Sequence, residues 1–301
     1  MVMMSFAAPA AMAEEVQEDQ RAGSSTSSSD FQPSAIIDSP AAAWGRNLEG
    51  QLGNGTTTNS TTPIGVSNLS GDVKEIDGGV YYSLALKSDG TVWAWGYNDH
   101  GQLGSGTNTS STTPVQVSNL SGVTNIAGGG LHSLAVKSDG TVSAWGNNYA
   151  GQLGNGTTTD STTPVQVSNL RGVTDIAGGV SHSLVIKKYT VKKKRNGRTI
   201  RRTITVPMSW GNNYSGQLGN GTTTNSTTPV QVSSLSGVKD IASGGSHSLA
   251  LKTDGTVRAW GYNYAGQLGN GTTTDSTAPV QVSNLSGITG IAGAGDHSLA
   301  K

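Results

Sequence analysis

Five times along the chain a Trp-Gly pair is followed, six residues after the Trp, by Gly-Gln-Leu-Gly, starting at Trp44, Trp95, Trp145, Trp210 and Trp260. The intervals are 51, 50, 65 and 50 residues. A fixed period of this length marks an array. Each unit is one supersecondary element that cannot cover its own apolar face and must stack on its neighbours. The 301 residues therefore form one quasi-linear object rather than unrelated domains.

Within a unit four short runs have strand character, exemplified by Pro114–Val117, Val123–Ala127, Ser133–Lys137 and Thr141–Trp145. Val115 and Val117, Leu134 and Val136, and Val142 and Ala144 alternate with polar or small neighbours, which is the two-residue period of a strand. The breaks carry turn chemistry: Asn119-Leu120-Ser121-Gly122, Gly128-Gly129-Gly130 and Ser138-Asp139-Gly140. Asp-Gly between two strand runs is a hairpin signal, because Gly supplies positive φ, and Asp89-Gly90 and Asp254-Gly255 repeat it. Four strands per unit, repeated radially, predict an all-β propeller of about five four-stranded blades. The last copy stops after His297-Ser298-Leu299-Ala300-Lys301, and the first opens on a lone strand, Asp38–Trp44. Two outcomes follow: the terminal strands pair to close the ring, which removes two exposed edges, or the chain is a fragment of a larger ring.

Upstream of the repeats, residues 1–13 read as a remnant of an export signal, apolar and ending Ala11-Met12-Ala13. The plain alternative is an unstructured N-terminus. Residues 14–37 are acidic and then Ser-rich, the composition of a disordered linker. The repeats occupy 38–301, and the expected location is extracellular or at the cell surface. With no Cys, disulfides and thiolate metal sites are excluded. No apolar run approaches the length of a membrane-spanning helix.

The ordered set Ala144-Trp145-Gly146, Gly151-Gln152-Leu153-Gly154, Ile126-Ala127-Gly128-Gly129, His132-Ser133-Leu134-Ala135 and Asp139-Gly140 resembles the regulator of chromosome condensation repeat. The resemblance covers 38–301 and implies a propeller, usually of seven blades. Members include a nuclear nucleotide-exchange factor and a secreted bacterial inhibitor of β-lactamases, so the fold does not fix the activity. Exchange regulation of a small GTPase and β-lactamase-inhibitor-like action stand as alternatives to a general protein-binding role.

Loops after the Trp strand and loops after the Gly-Gly strand should share one face. They carry Tyr97, His100, Tyr149, Tyr214, Tyr262 and Tyr264, and Tyr81 and Tyr82, respectively. Tyrosine gives contact area at low entropic cost, so these form a candidate protein-binding face for an unknown partner. The competing reading is that they cover the joints between blades. His132, His182, His247 and His297 hold one repeat position, with Tyr82 in the equivalent slot. Repeats hold equivalent atoms apart, so no metal site is expected, and the predicted role is a buried turn histidine bonding backbone. The Gly-rich loops lack the Lys-Ser/Thr of a phosphate loop, and no nucleophile elbow or paired carboxylates occur. A non-enzymatic chain without cofactor, monomeric, is the expectation.

One Asp-Gly turn is replaced by an insertion, 188–205. Asn196-Gly197 between β-branched alternation predicts a hairpin with Arg195 opposite Arg198 and Lys192 opposite Arg201. Lys187–Val206 holds nine Lys and Arg and no acid, leaving ten against nineteen Asp and Glu elsewhere, a net of −9. Directly opposed like charges destabilise a ribbon. Lys192, Lys193, Lys194, Arg195, Arg198, Arg201 and Arg202 are therefore candidates for binding a polyanion. The alternative is a solvated insertion. The hairpin should leave the face opposite the tyrosines.

Overall fold

The computed structural model describes residues 39–195 and 198–301. These lie in a compact unit, Ile37–Lys301. The expected export remnant, the linker and the Asn196-Gly197 turn lie outside the described residues.

The regular structure is all β. A first sheet pairs β1 (Ala42–Gly45) with β2 (Ser60–Gly65). Four complete sheets follow, each antiparallel and in chain order. The second holds β3 (Val73–Gly78), β4 (Tyr82–Lys87), β5 (Val92–Gly96) and β6 (Ser111–Gln116). The third holds β7 (Val123–Gly128), β8 (His132–Lys137), β9 (Val142–Gly146) and β10 (Ser161–Gln166). The fourth holds β11 (Val173–Gly178), β12 (His182–Arg195), β13 (Arg198–Gly211) and β14 (Ser226–Gln231). The fifth holds β15 (Val238–Ser243), β16 (His247–Lys252), β17 (Val257–Gly261) and β18 (Ser276–Gln281). A last pair joins β19 (Ile291–Gly293) to β20 (Ser298–Ala300). First strands of successive sheets contact one another, β3 to β7 to β11 to β15 to β19, and so line the axis of a β-propeller. Among the described residues no helix is long and apolar enough to cross a membrane.

One sequence expectation needs correction. The Ser-Thr-Thr-Pro strand is the outer strand of the preceding sheet, not the first of its own. In the third sheet Val165 pairs with Ala144 and Gln166 with Ser143, so the chain folds back after the Trp loop onto the edge of β9. The first sheet therefore has two strands rather than one orphan, and the last has two rather than three. Of the two outcomes read from the terminal strands, their pairing is not seen. Among the described residues β1 pairs only with β2 and β20 only with β19, so the two half-sheets are not joined.

Each apolar core straddles a joint. Tyr82, Leu84, Leu86, Val92 and Ala94 of the second sheet pack with Val123, Ile126, Ala135 and Trp145 of the third. The next core joins Leu134, Val136, Val142 and Ala144 to Val173, Ile176, Val185 and Trp210. The indole is the keystone. Trp145 Nε1 donates to Gln102 O at 2.9 Å, and Trp95, Trp210 and Trp260 do the same to Gln51, Gln152 and Gln217. The same carbonyl accepts the next sheet's Ser133 Oγ at 2.8 Å. Gly104, at φ +67°, must be Gly: a Cβ there would lie 2.8 Å from Trp145 Nε1.

Three of the four repeat-position histidines belong to these joints, while His297 on the last pair is exposed, against the burial expected from the sequence. His132 Nε2 lies 2.9 Å from Ser183 Oγ, His182 from Ser248 and His247 from Ser298, each on the following sheet. They bond a neighbouring hydroxyl, not the backbone expected from the sequence, because the Ser after each His faces the joint. In the joint between the second and third sheets Tyr82 donates to His132 O and accepts from Ser133 Oγ at 3.0 Å. Burial pushes His132 down to about 4 and His182 to about 3.

Two outcomes test this account. Trp145→Ala empties a joint and leaves Gln102 O with one donor fewer, and should cost about 3–5 kcal/mol in urea unfolding. For His132, the folded value lies below its unfolded one, so the stability it permits is present above pH ~6.5 and is lost as pH falls towards 4. His132→Tyr, which copies Tyr82 in the joint between the second and third sheets, should match wild type at pH 7.5 and exceed it by about 2 kcal/mol at pH 5. Parallel stability–pH curves for the two proteins would contradict the assignment.

Candidate functional site

The loop between β9 and β10 shows how one face is built. Asn148 is fully buried. Its Nδ2 donates to Thr157 O at 3.1 Å and Thr159 O at 2.9 Å, and its Oδ1 accepts from Leu153 N at 2.9 Å. Gln152 Oε1 accepts from Ala150 N at 2.9 Å. These bonds cinch a long polar loop into a fixed shape and push the residue after the Asn outwards. Asn47, Asn98, Asn213 and Asn263 repeat the arrangement and are equally buried. The sequence reading did not single them out, although their presence in every copy was the signal.

The outward position is held by Leu48, Asp99, Tyr149, Tyr214 and Tyr264. Tyr149, Tyr214 and Tyr264 are 61%, 74% and 78% exposed, and Leu48 is exposed too. Tyr149 OH donates to Ser181 Oγ at 3.0 Å, which ties the Trp loop to the Gly-Gly loop on the same face. Tyr97 and Tyr262, two residues earlier in their loops, are half-buried. Tyr97 OH donates to Asp99 Oδ2 at 3.0 Å, and its ring meets Tyr81 edge-on with centroids 6.3 Å apart. The Arg46 guanidinium lies 5.1 Å from the Tyr81 centroid. The Tyr97 hydroxyl is pushed up by the bond to Asp99.

Two candidates sit elsewhere. Tyr82 is fully buried between the second and third sheets, so it cannot contact a partner. Its hydroxyl is raised well above the ordinary phenol range by burial. His100 is engaged in a brace: Nδ1 is 2.7 Å from Asp160 Oδ2, while Asp160 Oδ1 accepts from Asn148 N at 2.7 Å. Conversely, exposed Val80 and Val180 were missed. They lie on the Gly-Gly loops, which ring a shallow axial cavity of about 240 Å³. Backbone bonds run around it from Val80 N to Gly130 O, Gly130 N to Gly179 O, Val180 N to Gly245 O and Gly245 N to Gly295 O.

Carboxylates line the inner strands, another feature the sequence reading passed over. Glu75 Oε2 accepts from Ile126 N at 3.3 Å and Asp77 Oδ2 from Gly128 N at 2.9 Å, so both brace the next sheet. Burial, and then the charges of Asp240 and Glu75, push Asp175 up to about 6. Among the described residues no three His, Cys, Asp or Glu gather as a metal-holding group.

On the opposite face the insertion prolongs β12 and β13 into one long ribbon. Its register runs from His182↔Gly211 to Arg195↔Arg198 and includes Lys192↔Arg201, as the turn spacing predicts. The face assignment follows from antiparallel order, since β12 and β13 connect at the end away from the Tyr loops. Tyr189, Val191 and Ile200 are exposed on this ribbon beside the basic side chains.

Comparison with known proteins bears on this architecture. The profile of the regulator of chromosome condensation (RCC1) repeat matches residues 43–86, 89–136, 139–186, 209–251 and 254–300. The human probable E3 ubiquitin-protein ligase HERC6 is 44% identical over 85 residues, 27% of this chain and 8% of that protein. The Arabidopsis thaliana ultraviolet-B receptor UVR8 is 35% identical over 81 residues, 27% of this chain and 18% of that one. The matched segments thus span less than a fifth of either relative. Human WBSCR16 superposes with a TM-score of 0.71 at 27% identity, over 86% of this chain and 66% of that structure. Yeast RCC1 (Prp20), solved bound to Kap60, superposes at 0.69 and 22% identity, over 96% and 70%.

Proposed function

We propose that this chain, which belongs to the regulator of chromosome condensation repeat family, is a non-enzymatic protein-binding propeller. The observation that carries the reading is the exposure of Tyr149, Tyr214 and Tyr264 at one repeat position, each on a loop cinched by a buried Asn. Rigid aromatic groups on fixed loops lose little freedom on binding, which favours a protein surface as partner. Leu48, Tyr81, Tyr97, Tyr262, Val80 and Val180 widen the patch. A binding role fits better than catalysis because the nearby His100 and Asp160 are spent on each other. Work outside the cell or at its surface belongs to the same proposal, supported by Ala11-Met12-Ala13.

A second reading rests on a separate observation, the like charges opposed across the ribbon at Lys192 and Arg201. An anionic polymer would relieve that repulsion, and the long arm would let it reach the charge clear of the acidic remainder of the chain.

Two measurements test these readings. A Tyr149→Ala, Tyr214→Ala, Tyr264→Ala variant should keep its unfolding midpoint, since the side chains are exposed. It should lose at least tenfold in capture of the protein that wild type retains from the native secretome, with about 1–2 kcal/mol lost per anchor. Equal capture by both proteins would refute the Tyr face. For the ribbon, wild type should elute from an anionic matrix at higher salt than a variant with Lys192, Lys193, Lys194, Arg195, Arg201 and Arg202 changed to Ser. Unchanged elution would discard the polyanion reading.

A further inference from the structure

Charge is not the whole of the β12–β13 ribbon. Strand alternation sorts its side chains onto two faces, and the register says which residues share one. Tyr189 stands opposite Ile204 and Val191 opposite Arg202, and Arg198 and Ile200 continue the same side of β13. The other side carries Lys188, Lys192, Lys194 and Arg201 among threonines. One face is thus apolar with cations set into it, while the other holds only Thr, Lys and Arg.

The apolar residues form a patch. Val191 is diagonal to both Ile204 and Ile200, close enough for side chains to meet across a ribbon. Tyr189, Val191 and Ile200 are 45%, 39% and 48% exposed, so the body of the propeller does not cover them. An insertion kept in solution by its charge has no use for such a patch. Contacts to the phosphates of a nucleic acid are polar and need no aliphatic side chains either. A second copy of the ribbon would bring like charges together, since Lys187–Val206 holds no acid.

We propose that this face lies on an anionic lipid surface. The proposal rests on the polyanion reading of the ribbon and names its ligand. Tyr189, Val191 and Ile200 enter between the headgroups, and Arg198 and Arg202 meet the lipid phosphates. The Lys side chains of the other face are long enough to bend down to the same charges. The ribbon does not span the bilayer. It rests in the interface, where apolar contact and charge act together.

The length of the ribbon suits this role. In the second, third and fifth sheets the turn after Lys87, Lys137 and Lys252 holds an exposed carboxylate, Asp89, Asp139 or Asp254. Outside the ribbon the chain carries ten Lys and Arg against nineteen Asp and Glu, and this would repel an anionic surface. From Lys187, β12 continues to Arg195, which at about 3.3 Å per residue is roughly 25 Å of extra strand. Salt screens charges beyond about 8 Å. The outer part of the ribbon therefore meets the lipid while the acidic body stays out of range. The Tyr loops, at the other end of the strands, face away from the bilayer and stay free for a protein.

Sedimentation with vesicles of phosphatidylcholine, with and without phosphatidylglycerol, tests the proposal. Wild type should pellet with the mixed vesicles at low salt and stay in solution with the neutral ones. Val191→Ser with Ile200→Ser keeps every charge. It should bind the mixed vesicles roughly tenfold more weakly, yet elute from an anionic matrix at the wild-type salt and keep the wild-type unfolding midpoint. Val191→Leu with Ile200→Leu should bind as wild type does. The chain has no Cys, so a polarity-sensitive dye can be placed at will. On Val191→Cys its emission should move to shorter wavelength with mixed vesicles, and on Thr190→Cys, on the other face, it should not. Wild type that stays in solution with mixed vesicles overturns the proposal, and matrix elution then tells whether the polyanion reading stands without it. Equal vesicle binding by wild type and the Ser pair also overturns it, and leaves the ribbon to a ligand gripped by charge alone, such as nucleic acid.

Discussion

The structure depends on one contact made over and over: an indole N–H from one sheet capping a backbone carbonyl of the sheet before it. That carbonyl belongs to the Gln of Gly-Gln-Leu-Gly and also takes a Ser hydroxyl. The Gly two residues on leaves room for the ring. Buried polar groups are costly unless paired, so this shared acceptor fixes both the depth and the angle at which one sheet meets the next. Burial of the ring adds the apolar contribution. Because the apolar clusters bridge neighbouring sheets, a sheet has no complete core without the next one, which is the energetic meaning of the fifty-residue period.

A scaffold held this way can vary at its solvent positions without disturbing its joints. Trp, Gln, the buried Asn and the joint Ser are the fixed points. The residue after the Asn is free, and in this chain it becomes Leu, Asp or Tyr. The turn between a sheet's second and third strands is free as well, and in the fourth sheet it grows into the basic ribbon without any break in strand pairing. The Tyr loops and the basic ribbon therefore lie at opposite ends of the strands. The buried titrating groups lie between them: the histidines favour folding at neutral pH, while Asp175, raised to about 6, favours it in acid.

Within the candidate face, residue type alone did not sort the tyrosines. Tyr81 and Tyr82 are adjacent, yet alternation along the strand sends one to the loop surface and the other into the joint. Tyr149, Tyr214 and Tyr264 were legible as loop residues. Their common exposure could be understood only once the Asn and Gln side chains were seen to fold the loop beneath them. His100 shows the reverse case, a surface candidate drawn into a brace by Asp160, a residue sixty positions away.

The sequence by itself determined what is periodic or local. The fifty-residue interval required a repeat array. The two-residue alternation and the Asp-Gly and Gly-Gly breaks marked the strands, and the spacing around Asn196-Gly197 set the register of the ribbon. Only the tertiary structure decided what depends on contacts between units. That includes the sheet joined by the Ser-Thr-Thr-Pro strand, the hydroxyl partners of His132, His182 and His247, the burial of Tyr82, and, among the described residues, the pairing of β1 with β2 and of β20 with β19. A periodic sequence specifies that neighbours touch. The angle at which they touch comes from side-chain packing across the joint, where indole and hydroxyl share one carbonyl.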